Sequence, residues 1–364
     1  MLLSLRAGPL RAAPGWRHRH SFASAVRPPR SLRLLFCGSD DFSIHALRAL
    51  HREHVSDSRL IEALHVVHRP GKRTGRGLKQ IREVPIKATA EELALPAHEI
   101  DTFTGWTPPT PYDLVVAVSF GLLVPPRILN AATYGGLNVH PSMLPDLYGP
   151  APIHHALLRG DTTTGVSVQT LHPKHFDQGV VLSQTPYPGI DIPDPETCTP
   201  QRLIDHLGPI GGSMLVQTIK DGAFIPPLTN VASNPDSPPR HASKIGKEHS
   251  HVDFRTWTAD RIVRTLRVLG QLWSTAIYSK IAGEDGPPKR VIIHAVRVDS
   301  SIPESARPPG TWWINDQRRP LPSIGTITCD GKALYIESCT IEGHRKGEGT
   351  RLLSKTLDHA RNTH

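Results

Sequence analysis

From Leu32 to about Leu228, short apolar, β-branched runs alternate with stretches of helical period, and this alternation limits the fold more than any other feature of the chain. LRLLFC (32–37) reads as a buried strand ended by Gly38. Asp40 or Asp41 can then cap a helix whose apolar face holds Phe42, Ala46, Leu47 and Leu50. Further strands are expected at 62–67, 113–120, 136–140, 165–171 and 179–185, and helices near 83–95, 150–159 and 200–221. Strands separated by helices build an open α/β sheet with helices on its faces. A nucleotide fold of the usual kind is excluded. The first strand runs into GSDDFS, with one glycine where a dinucleotide turn needs G-x-G-x-x-G, and GKRTGRG (71–77) lacks the Gly-Lys-Ser/Thr ending of a P-loop.

TNVASNPDSPPR (229–240) is polar and proline-rich and reads as a linker. Beyond it come a helical segment at 259–270 and strand-like runs at 274–281, 290–298, 323–330 and 332–342, which a small β-barrel or β-sandwich accommodates. Two domains suit a chain of 364 residues. The net charge of +9, extending into the second domain, favours a polyanionic partner. Cys37, Cys198, Cys329 and Cys339 form no Cys-x-x-Cys pair, so neither zinc nor a disulfide framework is expected. Residues 1–31 carry six arginines and no acidic residue precedes Asp40, the pattern of a mitochondrial transit peptide rather than of a simple basic arm. No apolar run reaches the roughly 18 residues of a membrane span, so no membrane association is expected.

Chemistry concentrates in GLNVHPSMLPDLYGPAPIHHALLRGDTTTG (136–165). On a strand, Asn138 and His140 are two apart and share a face, and Pro141 ends the strand where α/β folds keep their sites. A neutral amide donor beside an imidazole suits carbonyl chemistry, and Asp177 is placed to orient that imidazole across a loop. Seen alone, such a pair is more often a turn cap. His154 and His155 are assigned no chemistry, His172 and His175 are expected to shape the loop of Asp177, and Trp312 and Trp313 to pack in the core.

Asn138, His140, Pro141, Ser142, Met143, Leu144 and Pro145, followed by Gly149 to Ile153, Asp177 and Gly179, resemble the folate-dependent formyltransferase family, and within it the methionyl-tRNA formyltransferases. The likeness is clear from Leu32 to Pro188 and weak from Ala242 to Leu353, where Lys244, Ile245, Val252, Asp253 and Phe254 carry it. The resemblance implies an α/β fold, with an open Rossmann-like sheet at 32–228 and a smaller C-terminal β-barrel, OB-like, at 241–364 that binds tRNA. It implies Asn138, His140 and Asp177 as catalytic residues. Contacts to 10-formyltetrahydrofolate, the formyl donor, fall to Ser119, Phe120, Gly121 and Leu122 and to Ser142, Met143, Leu144 and Pro145, with no metal. HRPGKRTGRGLKQIREVPIKA (68–88) resembles the family's loop for the tRNA acceptor stem, which assigns Lys72, Arg73, Arg76 and Lys79 to RNA, on a segment that three glycines leave mobile. The expected protein is a monomeric enzyme of the mitochondrial matrix acting on methionyl-tRNA. Another folate-dependent formyltransferase, a formyl-folate hydrolase and a non-catalytic RNA-binding protein are the alternatives. Two departures stand out: Asp146, Leu147 and Tyr148 replace the family's usual basic pair, and Gly270 to Trp273 replace its Asn-Pro-Trp-Pro-like turn.

Overall fold

A computed structural model of the chain describes residues 30–233, 238–275, 277, 289–299, 308–315 and 323–353. The transit peptide expected at 1–31 lies almost wholly outside them. Among the described residues, the N-terminal region is built on a seven-stranded sheet. Its spatial order is Val181–Gln184, Ser167–Thr170, Gly136–His140, Leu114–Val118, Leu32–Gly38, Ile61–His68 and Ala97–Glu99. The five strands from Gly136–His140 to Ala97–Glu99 are parallel, and Ser167–Thr170 runs against them, pairing antiparallel with both Gly136–His140 and Val181–Gln184. The expected α/β sheet is therefore present, with a short edge strand, Ala97–Glu99, that its polar composition hid.

The order of strands reverses between Leu32–Gly38 and Leu114–Val118, and the crevice at the C-terminal ends of such a pair is where open α/β sheets bind ligands. Leu34, Phe36, Val66, Leu114, Val116 and Leu137 form one buried layer with Phe42, Leu47 and Leu50 of helix Asp41–Ser56 and with Leu203, Leu207 and Leu215 of helix Pro200–Lys220. Asp40 caps the first of these helices, its carboxylate accepting from the Ser43 N–H at 3.0 Å. At the opposite end of the strands Asp113 is fully buried and accepts from the Arg33 backbone N–H, the Arg33 guanidinium and Arg30.

The C-terminal region carries a five-stranded antiparallel sheet in the order Leu272–Ser274, Val291–Asp299, Ala333–Ile341, Ser323–Ile327 and Trp312–Asn315. Ile262 of helix Ala259–Leu269 joins Val291, Ile293, Leu334 and Ile336 in its core. The expected run at 274–281 is represented by Leu272–Ser274, and most of 276–281 lies outside the described residues. Trp312 packs edge-on against Phe254 of the C-terminal core. Trp313, on the opposite face of the strand, packs edge-on against Tyr335 in a smaller cluster with Ile327 and Ala333, so both are packed but only partly buried. All four cysteines are free, with Cys329 exposed and Cys339 buried. No described helix is long and apolar enough to cross a membrane.

Candidate active site

Gly136–His140 is the last parallel strand, and its C-terminal end meets the antiparallel strand Ser167–Thr170. In that register Asn138 lies opposite Gln169 and His140 opposite Ser167. The result is a hydrogen-bonded cluster. The Gln169 amide donates to Asp177 Oδ1 at 3.0 Å and lies 3.4 Å from Asn138 Oδ1, and its own oxygen accepts from the Gly179 N–H at 3.1 Å. Asp177 Oδ2 accepts from the Gly149 N–H at 2.8 Å, and Oδ1 is 3.4 Å from His140 Nδ1. Gln169 and His140 are buried, at 1% and 5% exposure. The sequence-predicted trio of Asn138, His140 and Asp177 is thus brought together, around a glutamine that the sequence reading does not foresee.

Gln169 had a signal. In GVSVQTL, Ser167 and Gln169 are polar residues at alternate positions of an apolar strand, so both face one side. Ser167 holds the chain after the histidine: its hydroxyl donates to Ser142 O at 2.8 Å and accepts from the Leu144 N–H at 3.1 Å. Gln184 donates to Leu144 O at 2.8 Å from the next strand.

The two key donors are engaged in different ways. Asn138 Nδ2 donates to Ala117 O at 3.0 Å, which fixes the amide and leaves its second N–H for a ligand. His140 Nε2 lies 2.9 Å from Leu147 O, so that nitrogen carries a proton and the ring spans the Leu147 carbonyl and the Asp177 carboxylate. Asp177 was expected to orient this imidazole across a loop; the ring is also clamped from its other side by the loop that Pro141 opens. Asp177 itself has φ +55°, on a turn where His172 Nδ1 accepts from the N–H groups of Lys174 and His175. A carboxylate gripped by an imidazole, an amide and a backbone N–H, beside a neutral amide donor, can hold a proton and stabilise a developing oxyanion.

The two expected folate segments follow neighbouring strand ends. Ser119, Gly121 and Leu122 reach the surface at the reversal of strand order, where the Ser39 hydroxyl donates to Phe120 O at 3.4 Å. Phe120 points into the core against Phe103 and offers a ligand only its backbone. Burial raises the Asp40 carboxyl above its ordinary pKa at this same crevice, against hydrogen bonds from Ser43 and Ser119 that lower it. A separate cleft of about 430 Å³ is lined by Ser142, Met143 and Leu144, with Asp146, Arg159, Gln184, Tyr187 and Arg240 opposite, and by none of Ser119–Leu122.

The basic segment is more regular than a mobile loop. Lys72–Thr74 pairs antiparallel with Gln80–Arg82, and Arg76–Leu78 turns the tip as 3₁₀ helix with Gly75 and Gly77 at φ +78° and +73°, angles that favour glycine. Lys72, Arg73, Lys79 and Arg82 are exposed, as are Leu78 and Ile81. The hairpin follows Ile61–His68, so it leaves the sheet at the same C-terminal end of the parallel strands as His140.

A family model described as formyl transferase matches residues 32–207. The chain is 30% identical over 359 residues to the mitochondrial methionyl-tRNA formyltransferase of Saccharomyces cerevisiae, covering 88% of both. It is 36% identical over 266 residues to the mitochondrial methionyl-tRNA formyltransferase of Bos taurus, covering 72% of this chain and 63% of the bovine protein. Among solved structures, an N-formyltransferase from Helicobacter canadensis in complex with folinic acid and dTDP-3-aminofucose aligns with a TM-score of 0.53 at 14% identity, over 84% of this chain and 98% of that one. At that identity the structural match concerns the fold alone.

Proposed function

Because the chain belongs to the formyl transferase family, and within it to the methionyl-tRNA formyltransferases, we propose that it moves the formyl group of 10-formyltetrahydrofolate onto the amino group of methionyl-tRNA for initiation of translation in mitochondria. The observation that carries the chemistry is Asp177, which gathers Gly149, Gln169 and His140 beside the amide of Asn138. The acceptor amine attacks the formyl carbon, a C–N bond forms, and negative charge builds on the formyl oxygen, where the second Asn138 N–H meets it. The bond to the folate nitrogen then breaks. Asp177, through a water, takes the proton the amine gives up and passes it to that departing nitrogen, while His140 steadies the carboxylate's charge.

The acceptor assignment is supported by similarity to the yeast enzyme over 88% of both chains, which reaches past the family model into the C-terminal region, and by the exposed cations of the hairpin. On this reading Ser119–Leu122 and Ser142–Pro145 receive the folate, and Lys72, Arg73, Arg76 and Lys79 receive the acceptor stem. Residues 32–228 form the catalytic domain and 229–240 the linker. Residues 241–364 form an OB-like barrel that extends the RNA surface, and 1–31 direct a monomeric protein to the matrix.

The test is formyl transfer from 10-formyltetrahydrofolate to methionyl-tRNA by the chain and by its His140→Ala variant. Transfer that falls roughly a hundredfold or more in the variant supports both substrate and site. A folded chain that binds folate yet formylates no tRNA overturns the acceptor. Release of formate without RNA then points to a hydrolase, and RNA binding without turnover to a binding protein.

A further inference from the structure

The loop that grips the candidate catalytic pair is itself gripped from the other side, by the end of the linker. Leu147 O meets His140 Nε2 at 2.9 Å, and the Gly149 N–H reaches Asp177 at 2.8 Å. One residue before Leu147, the Asp146 carboxylate accepts both ends of the Arg240 guanidinium, at 2.7 and 2.6 Å, with Arg159 at 3.8 Å. The next residues continue the contact. The Ala242 N–H donates to Tyr148 O at 2.7 Å, the Ala151 N–H donates to Ala242 O at 3.2 Å, and the His241 ring lies 4.9 Å from that of Tyr148. His155 Nε2 then meets Ser243 O at 2.9 Å. Residues 240–243 therefore lie along 146–151 like an added strand, and Ala242 is fully buried there. The loop's inner edge faces the catalytic pair and its outer edge faces the chain leading into the C-terminal domain.

We propose that Asp146 and Arg240 are positioning residues: their bidentate pair fixes loop 146–149, and through it the setting of His140 and Asp177, so that seating of the linker is a condition of catalysis. This rests on the formyl-transfer reading above. A fork-to-carboxylate pair fixes orientation as well as distance, because both nitrogens must align with both oxygens at once. The acidic residue at 146 has a local purpose on this account, as the partner of Arg240 rather than as a contact to substrate.

Arg240 is more than half exposed and Asp146 about one-fifth, so the pair is worth a modest factor. Asp146→Ala and Arg240→Ala in the full chain should each lower kcat about fivefold, with KM for folate and for methionyl-tRNA within about twofold. The double variant should be no worse than either single one, and Arg240→Lys should recover part of the loss. Hydrogen exchange of the Gly149 and Ala242 amides, which needs no activity, should quicken by a similar factor in both single variants. Single variants with unchanged exchange and kcat within about twofold overturn the proposal. So does a defect confined to Arg240→Ala and expressed as a raised KM for RNA, with Asp146→Ala unimpaired, because Arg240 would then be a phosphate contact. A wild-type chain that formylates no RNA sinks the reading of function instead, and the exchange measurement still decides the clasp.

Discussion

Replacing Gln169 by leucine tests whether the cluster is held by the residue at its centre. The side chain is 1% exposed, and leucine fills a similar volume, so the loss is one of hydrogen bonds rather than of packing. Three partners are affected. The Gly179 N–H at 3.1 Å loses its acceptor, Asp177 Oδ1 loses a donor at 3.0 Å, and Asn138 Oδ1 loses a weaker one at 3.4 Å. A stranded buried donor costs about 1–3 kcal/mol and a bond to a carboxylate is worth about as much, which puts the destabilisation at roughly 2–5 kcal/mol. Asp177 keeps Gly149, and Asn138 keeps Ala117, so both side chains remain but lose their mutual alignment. Misplacement by about 1 Å can cost roughly a hundredfold in rate, and kcat for formyl transfer should fall by about that factor with little change in either KM. Urea unfolding gives the first quantity and steady-state transfer the second. Gln169→Glu sharpens the test: it preserves the acceptor for Gly179 but sets a second carboxyl against Asp177. Two adjacent carboxyls do not both ionise readily, so transfer by this variant should fall as pH rises and the introduced group loses its proton. Wild-type kcat and stability in both variants would refute the reasoning.

Asp113 gives a prediction about acid. Burial opposes its ionisation, but hydrogen bonds from the Arg33 side chain and backbone, with the charges of Arg33 and Arg30, outweigh that and hold the carboxyl down at about 2. A depressed folded-state pKa means stability that is present above the unfolded value near 4 and lost as pH falls through the folded one, so roughly 2 kcal/mol should disappear between about pH 5 and pH 2. Asp113→Asn should be less stable at pH 7 and should lack that part of the acid slope in urea titrations; parallel slopes would remove Asp113 as the cause. Gly149 has φ +114°, and a Cβ there would lie 2.8 Å from Ala242 O, so Gly149→Ala should destabilise by about 2 kcal/mol or more and be visible as a lowered Tm. Lys72→Ala with Arg73→Ala should raise KM for methionyl-tRNA and reduce the slope of log affinity against log salt by about 1.5–2, leaving folate binding unchanged. An unaltered salt slope would place the RNA elsewhere.

Much of the sheet was legible because its signal is local. Leu32–Gly38, Ile61–His68, Leu114–Val118 and Gly136–His140 are rich in apolar or β-branched residues and largely buried, bounded by polar or glycine-containing turns. Ala97–Glu99 and Trp312–Asn315 escaped because strands of three and four residues need no such run, although Trp312 and Trp313 were expected to pack in the core. Asn138, His140 and Asp177 were legible through a motif. What that motif could not carry was partnership. That Gln169 stands opposite Asn138, or that Arg240 reaches Asp146 across 94 positions, depends on register and on the path of the linker, and neither leaves a trace at either residue alone.

The change of strand direction beside the site explains why these partnerships arise where they do. Had the strand after Gly136–His140 been parallel, a crossover would have carried it away and the loop after His140 would have stayed open to solvent. Here Ser167–Thr170 returns antiparallel and sets Ser167 opposite His140 and Gln169 opposite Asn138. One face of one strand thereby holds the Ser142–Leu144 backbone, orients the amide and anchors the carboxylate. Two consequences follow. The positions of Asn138 and Asp177 are coupled through Gln169, so substitutions at these residues should combine non-additively, whereas each should add simply to a distant change such as Asp113→Asn. The His140 ring, fixed between Leu147 O and Asp177, should likewise couple to Asp146 and Arg240 through the loop they share. If double variants pairing His140 with Arg240 proved strictly additive, the loop would be a passive connection, and the linker's contact would serve folding alone.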